Sequence, residues 1–249
     1  MFDSFRLNKL FLLLTGFSVL LGVTACVPPK PTAPPRITHV DIPHLPPVPR
    51  HEYPHPPSAP TERGPSSGML RGLTIVVDPG HGGKDPGARG LSSLPEKTIV
   101  LDIAWQIADL LDQQGADVIM TRSDDRFIEL DERAAIAERT RADLFVSIHA
   151  DSSKKGYIDG ATVLVGTTAS NQSKQAARCI KAALQRYGIG NREIRAQQLR
   201  VLDNHSRPAV LVECGFLTNL TDARRLNAAW YRSRLAHAVA EGVVDFFVR

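Results

Sequence analysis

With 249 residues, a formal charge of +4 and a pI near 9.1, the chain has room for one or two domains and only a modest basic balance. That balance suits an anionic surface, but no basic stripe is interleaved with aromatics, which are 6% of the chain, so nucleic acid is excluded as a partner. Three cysteines, Cys26, Cys179 and Cys214, are too few for a disulfide framework, and the latter two read as free, mostly buried thiols.

Arg6 and Lys9 precede an apolar run from Leu10 to Val23 that ends on Thr24-Ala25-Cys26. A basic start, a core short of the roughly twenty apolar residues that span a bilayer, and small residues at its end make residues 1–25 an export signal. Val23-Thr24-Ala25-Cys26 resembles the lipobox of bacterial lipoproteins, which implies cleavage before Cys26 and lipidation of that residue. Ordinary cleavage nearby, or an uncleaved anchor, would also leave the remainder outside the cytoplasm. Val27 stands where an aspartate would imply retention at the inner membrane, so the resemblance implies a periplasmic domain anchored to the outer membrane. Fourteen of the eighteen prolines lie between Pro28 and Pro65, and residues 26–67 read as a disordered tether of polyproline character. At ~3.1 Å per residue, roughly 40 residues reach at most about 120 Å. His39, His44, His51 and His55 are irregularly spaced, which favours plain solvation over a metal site. The folding unit is then residues 68–249, ample for one core.

Thr74-Ile-Val-Val77 is a strand of the kind buried on both faces, stopped by Asp78-Pro-Gly80. The glycines flanking His81 permit positive φ and close approach of the backbone, so a strand delivers one imidazole into a crevice. Ile99, Ile103, Ile107 and Leu111 recur at helical spacing behind Pro95, which puts Glu96 at a helix start. Gly115 ends that helix, and residues 116–121 form a second strand. A polar loop over 122–128, a charged helix over 130–139, a buried-type strand over 144–148 ending on His149, and a strand over 160–165 follow. A helix over 171–187, a polar stretch, the strand from Pro208 ending on Glu213, and two helices starting near Thr221 and Tyr231 complete the chain. Strand, crossover helix, strand predicts a single α/β domain: a mostly parallel twisted sheet with helices on both faces.

Open α/β sheets bind ligands at the carboxyl ends of their strands. If the strands ending on His81, His149 and Glu213 are parallel neighbours, those residues share one crevice, and Glu96 reaches it from its helix. Two imidazoles and one carboxylate make a catalytic type of zinc site with an open fourth position, and a second carboxylate supplies a general base. There is no His-Glu-x-x-His helix.

Asp78-Pro-Gly-His-Gly-Gly83, Pro95-Glu-Lys97, Arg122 with Arg133, Asp143 to Asp151 and Pro208 to Asn219 resemble, in order, the zinc-dependent N-acetylmuramoyl-L-alanine amidases of the amidase-3 family. The resemblance implies Zn2+ on His81, Glu96 and His149, with Glu213 as the catalytic glutamate. It implies hydrolysis of the amide between the lactyl group of muramic acid and the L-alanine of the peptidoglycan stem peptide. Rival readings are a non-catalytic peptidoglycan-binding lipoprotein and a zinc carboxypeptidase acting on stem peptides. Divisome members carry an inserted helix that blocks the zinc after the strand equivalent to residues 162–165. Here residues 166–171 lead straight into the next helix, which implies an open site, a monomer and no need of an activator. Asp78 and Asp85 are candidates to orient the ligands. Arg133 and Arg207 are candidates for stem-peptide carboxylates or surface ion pairs, and His205 for substrate or metal. Cys214 stands where the family carries a threonine or an apolar residue, a change of similar size.

Overall fold

A computed structural model describes residues 68–248. The export signal, Cys26 and the proline-rich tether lie outside the described residues. In chain order the elements are β1 (Thr74–Pro79), α1 (Glu96–Gln113), β2 (Asp117–Met120), α2 (Leu130–Arg139), β3 (Leu144–Asp151) and β4 (Ala161–Val165). They continue as α3 (Asn171–Arg186), β5 (Asn191–Ala196), α4 (Arg200–Asp203), β6 (Ala209–Phe216), α5 (Leu220–Asn227) and α6 (Ala229–Val248). The six strands lie in the order β2-β1-β3-β6-β4-β5. All neighbouring pairs are parallel except β4 with β6, so the sheet is mostly parallel, as the strand-helix-strand order predicts.

Strand periodicity divides the apolar residues between two faces of the sheet. Ile75, Val77, Leu144, Val146, Ile148, Val210 and Val212 join residues of α1, α3 and α6 in the larger core. Val76, Phe145, Ala209 and Leu211 join Ala137 of α2 and Val201 and Leu202 of α4 in the smaller one. Full burial of an aliphatic side chain contributes roughly 1.5–3 kcal/mol. The face under α1, α3 and α6 therefore carries most of the burial. The opposite face, covered by a helix of 10 residues and another of 4, is left to carry polar groups. By the same alternation Asp78, Ser147, His149 and Glu213 belong to that thinly covered face.

Four elements differ from the sequence reading. β3 runs past His149 to Asp151, and helix α4 (Arg200–Asp203) forms where the sequence showed only a polar stretch. Residues 191–196, taken as an unstructured polar stretch, form β5, the edge strand beside β4; an edge strand with one exposed side needs no apolar run. β6 does not stop at Glu213 but runs on to Phe216, so Glu213 sits within the strand, in register with His149 of β3 and Thr162 of β4. Among the described residues no helix is long and apolar enough to cross a membrane.

Candidate metal centre

β1 ends at Pro79, and the chain turns through Gly80, His81 and Gly82. Gly80 is required by proximity: a Cβ there would lie 2.2 Å from Cε1 of His149. Gly82 takes a positive φ, as its residue type suggests, but His81 does so too, at 59°. This left-handed state costs a non-glycine residue on the order of 1–3 kcal/mol, and it persists only where the surroundings over-determine it. Here the carbonyls of the turn are gripped from below. Arg133 donates to Pro79 O at 2.6 Å and to His81 O at 2.6 Å, and Arg122 donates to Gly80 O at 2.6 Å.

Glu96 is the first residue of α1 and only 2% exposed. Its Oε1 lies 3.0 Å from His81 Nε2 and 3.2 Å from His149 Nδ1. The two rings meet edge to face with centroids 4.7 Å apart. The β3–β6 register shifts between His149 and Asp151, and the Ala150 N–H in that gap donates to Glu96 Oε1 at 2.9 Å. Ala88 N–H donates to Glu96 Oε2 at 2.5 Å. On the far side of His81, Nδ1 is 2.8 Å from Asp85 Oδ2, while Asp85 Oδ1 accepts the Gly87 N–H at 3.1 Å. With Nδ1 committed to Asp85, Nε2 is the His81 nitrogen left on the Glu96 side for a metal ion.

One ligand atom from each of His81, Glu96 and His149 fits within 4.8 Å of the others, a separation at which all three could hold one metal ion. Two imidazoles and one carboxylate are the donor types that suit zinc, with a place left for water or substrate. Glu213, opposite His149 in the ladder, adds a carboxylate that none of the three needs. Its Oε2 is buried and unpartnered, the state of an oxygen waiting for a ligand or a proton.

The charges follow from these contacts. Burial alone would raise the Glu96 carboxyl, but hydrogen bonds and charge from His149 and His81 outweigh it and hold Glu96 well below the usual carboxylate range. Burial would lower His81, yet Glu96 and Asp85 raise it above its ordinary value. Glu213 moves the other way: burial first, then the negative charges of Asp151 and Glu96, push it well above the ordinary value, and Arg195 alone opposes them.

A groove of about 380 Å³ starts at His81, His149 and Glu213 and runs along the thinly covered face. Leu164 and Leu211 of the sheet, the segment Phe127–Leu130 and the segment Leu199–Val201 line it.

Several sequence-level candidates fall elsewhere. Arg133 is not on the surface: it is 2% exposed and ion-paired to the fully buried Asp78 at 2.8 Å. Asp78 touches no ligand; it accepts from Arg133, Thr121 Oγ1 at 2.6 Å and Ser147 Oγ at 2.7 Å, and these contacts, against the cost of burial, keep its carboxyl low. Arg207 donates to Ala142 O at 2.6 Å and Arg141 O at 3.1 Å, bracing the turn before β3. His205 packs on Phe145 with ring centroids 5.2 Å apart and bonds Val201 O at 2.9 Å, in a separate recess with Glu138 and Ser206. Cys179 and Cys214 are free and buried, and burial drives the Cys214 thiol far above its ordinary value, so it is no nucleophile. The sequence reading gave Arg122 no function; its guanidinium is buried, bonded to four backbone carbonyls, and brought down to about 10 by burial and the charge of Arg133.

An α/β sheet that gathers two histidines and a glutamate beside a free buried carboxylate has the parts of a metal-dependent hydrolase. The chain belongs to the Amidase_3 family, N-acetylmuramoyl-L-alanine amidase, which it matches over residues 75–245. It is 36% identical over 193 residues to the probable cell wall amidase LytH of Staphylococcus epidermidis, a match covering 76% of this chain and 63% of that protein. The alignment thus spans less than two thirds of LytH. N-acetylmuramoyl-L-alanine amidase AmiA of Escherichia coli is 33% identical over 218 residues, covering 70% of this chain and 75% of AmiA. Among solved structures, N-acetylmuramoyl-L-alanine amidase AmiC2 of Nostoc punctiforme superposes with a TM-score of 0.67 at 37% identity, covering 71% of this chain and 98% of that one.

Proposed function

We propose that the chain is a zinc-dependent N-acetylmuramoyl-L-alanine amidase that hydrolyses the amide between the lactyl group of muramic acid and the L-alanine of the peptidoglycan stem. The observation that carries the reading is the convergence of His81, Glu96 and His149 beside the unpartnered Glu213 Oε2, in a chain of this family.

His81, Glu96 and His149 would hold the zinc. The ion, when bound, polarises the scissile carbonyl and makes water acidic enough to attack near neutral pH. Glu213 takes the proton of the attacking water on its free oxygen and passes it to the departing alanine amine. Asp85 fixes the tautomer of His81 so that Nε2 remains a lone-pair donor. The groove that begins at these groups gives an extended stem an apolar bed.

Two further parts of the reading concern deployment. Residues 166–170 join β4 to α3 directly, too few to lay a helix over the site, which supports an open site that needs no activator; that the enzyme works as a monomer is part of the same proposal. The sequence of residues 23–26 supports a lipid anchor at Cys26 that would hold the domain on the periplasmic face of the outer membrane. Mass spectrometry of purified sacculi digested by the full chain alone tests both chemistry and self-sufficiency. Free stem peptides beginning with L-alanine are expected. Shortened stems would indicate a carboxypeptidase, and the absence of products a wall-binding protein or one that needs a partner.

A further inference from the structure

We propose that Arg122 and Arg133 are positioning residues for the metal centre: two buried guanidinium groups that set the place of His81 relative to Glu96 and to the wall of the groove. The inference rests on the metal-site reading above and deepens it.

Together the two side chains take three consecutive carbonyls of the turn that presents His81, those of Pro79, Gly80 and His81 itself. Arg133 bonds Pro79 O and His81 O, each at 2.6 Å; Arg122 bonds Pro79 O at 3.0 Å and Gly80 O at 2.6 Å. Apart from Nη1 of Arg122, which donates to Asp124 O at 2.9 Å, the remaining donors tie this turn to the other parts of the site. Nη2 of Arg122, which holds Gly80 O, also donates to Lys97 O at 2.9 Å, so one nitrogen bridges the residue before His81 and the residue after Glu96. Nε of Arg133 donates to Ile128 O at 3.0 Å, in the segment that flanks the groove. Among the described residues the only carboxylate either guanidinium is bonded to is Asp78, which is itself tied to β3 through Ser147, two residues before His149.

A planar fork of five donors can hold several carbonyls at fixed separations; an ammonium with one swivelling nitrogen cannot. Two buried guanidinium groups close enough to repel each other are a costly way to brace a fold that already has an extensive apolar core. Their acceptors explain the choice. Nearly all are main-chain oxygens of the segments that carry His81, Glu96 and the groove wall, and one of those segments holds His81 in an unfavourable φ that needs outside support.

The test uses the full chain purified in detergent, with zinc as the probe. Zinc affinity is measured by competition with a coloured chelator, and the melting temperature is taken without metal. His81→Ala sets the background from the histidines between Pro28 and Pro65. Arg122→Lys and Arg133→Lys keep the charge beside Asp78 but lose the fork. Each is expected to weaken zinc binding by roughly 10–100-fold, the usual effect of removing groups that orient ligands. Folded lysine variants that bind zinc as tightly as the parent, with only a lower metal-free melting temperature, would overturn the proposal and leave the metal reading intact. A parent chain that binds no zinc above the His81→Ala background overturns both. Should the lysine variants fail to fold, Thr121→Val decides. It removes one bond from the Asp78 oxygen that Arg133 shares while keeping shape; a severalfold loss of zinc affinity supports the proposal, and an unchanged affinity refutes it.

Discussion

Glu96 and Glu213 face the same site and are built in opposite ways. The Glu96 carboxylate is saturated: Oε1 meets two imidazoles and the Ala150 N–H, and Oε2 takes the Ala88 N–H. The start of α1 adds a favourable field for its negative charge. Glu213 has strand neighbours on both sides, an oxygen with no partner, and negative charges at Asp151 and Glu96 that resist its ionisation. Two identical side chains therefore arrive at different chemistry through their hydrogen bonds. One is held ionised and rigid, as a cation requires, and the other is left ready to accept and return a proton.

Substituting each in turn is the strongest way to break this contrast. Glu96→Gln removes the charge that the proposed zinc would meet, and is expected to lose both zinc, by elemental analysis, and turnover on purified sacculi. Glu213→Gln should retain a full complement of zinc while kcat falls roughly 10²–10⁴-fold, the span of a lost general base. A Glu213→Gln enzyme that turns over normally, or a Glu96→Gln enzyme that keeps its metal, would erase the distinction. A smaller effect is expected at Asp85, which touches only the outer nitrogen of His81. Asp85→Ala should weaken zinc binding or activity by about 10–100-fold without abolishing either, and Asp85→Asn, which still accepts a hydrogen bond from Nδ1, should recover part of the loss.

The saturated corner was more legible in the sequence than its supports. Apolar runs that stop at Asp78 and His149 mark buried strands whatever the tertiary context, although β3 itself continues to Asp151, and Pro95 marks the helix start that places Glu96. These are local signals, and parallel pairing of β1, β3 and β6 then brings the residues together. Arg122 and Arg133 carry no local signal of burial. An arginine in a polar loop or on a charged helix reads as a solvated side chain, and only the fold reveals that carbonyls and Asp78 enclose it. Strand β5 was hidden for a related reason: with sheet contact on one edge only, residues 191–196 need not be apolar. Glu213 was placed at a strand end because polar residues usually finish buried strands, whereas β6 continues to Phe216 and keeps the carboxylate inside the ladder.

The smallest expected effect tests the Glu213 side of the contrast through its electrostatics. Burial raises its proton affinity most, Asp151 and Glu96 add to this, and among the described residues exposed Arg195 of β5 is the one charge that lowers it. As a base Glu213 must be ionised before it acts, so the rate should rise with pH through its pKa. Removing the positive charge in Arg195→Gln raises that pKa and moves the acid limb of kcat/KM to higher pH. Any influence of the bound ion is common to both enzymes and cancels in the difference. Because Arg195 is exposed, screening limits the displacement to roughly a few tenths of a pH unit at low salt, and it should shrink in 1 M salt. Arg200→Gln is the control, since that guanidinium is engaged with Asp131 on the groove's rim and exerts no resolved influence on Glu213. An acid limb that stays fixed in Arg195→Gln, or moves equally in Arg200→Gln, would mean that the group titrating in the rate is not Glu213.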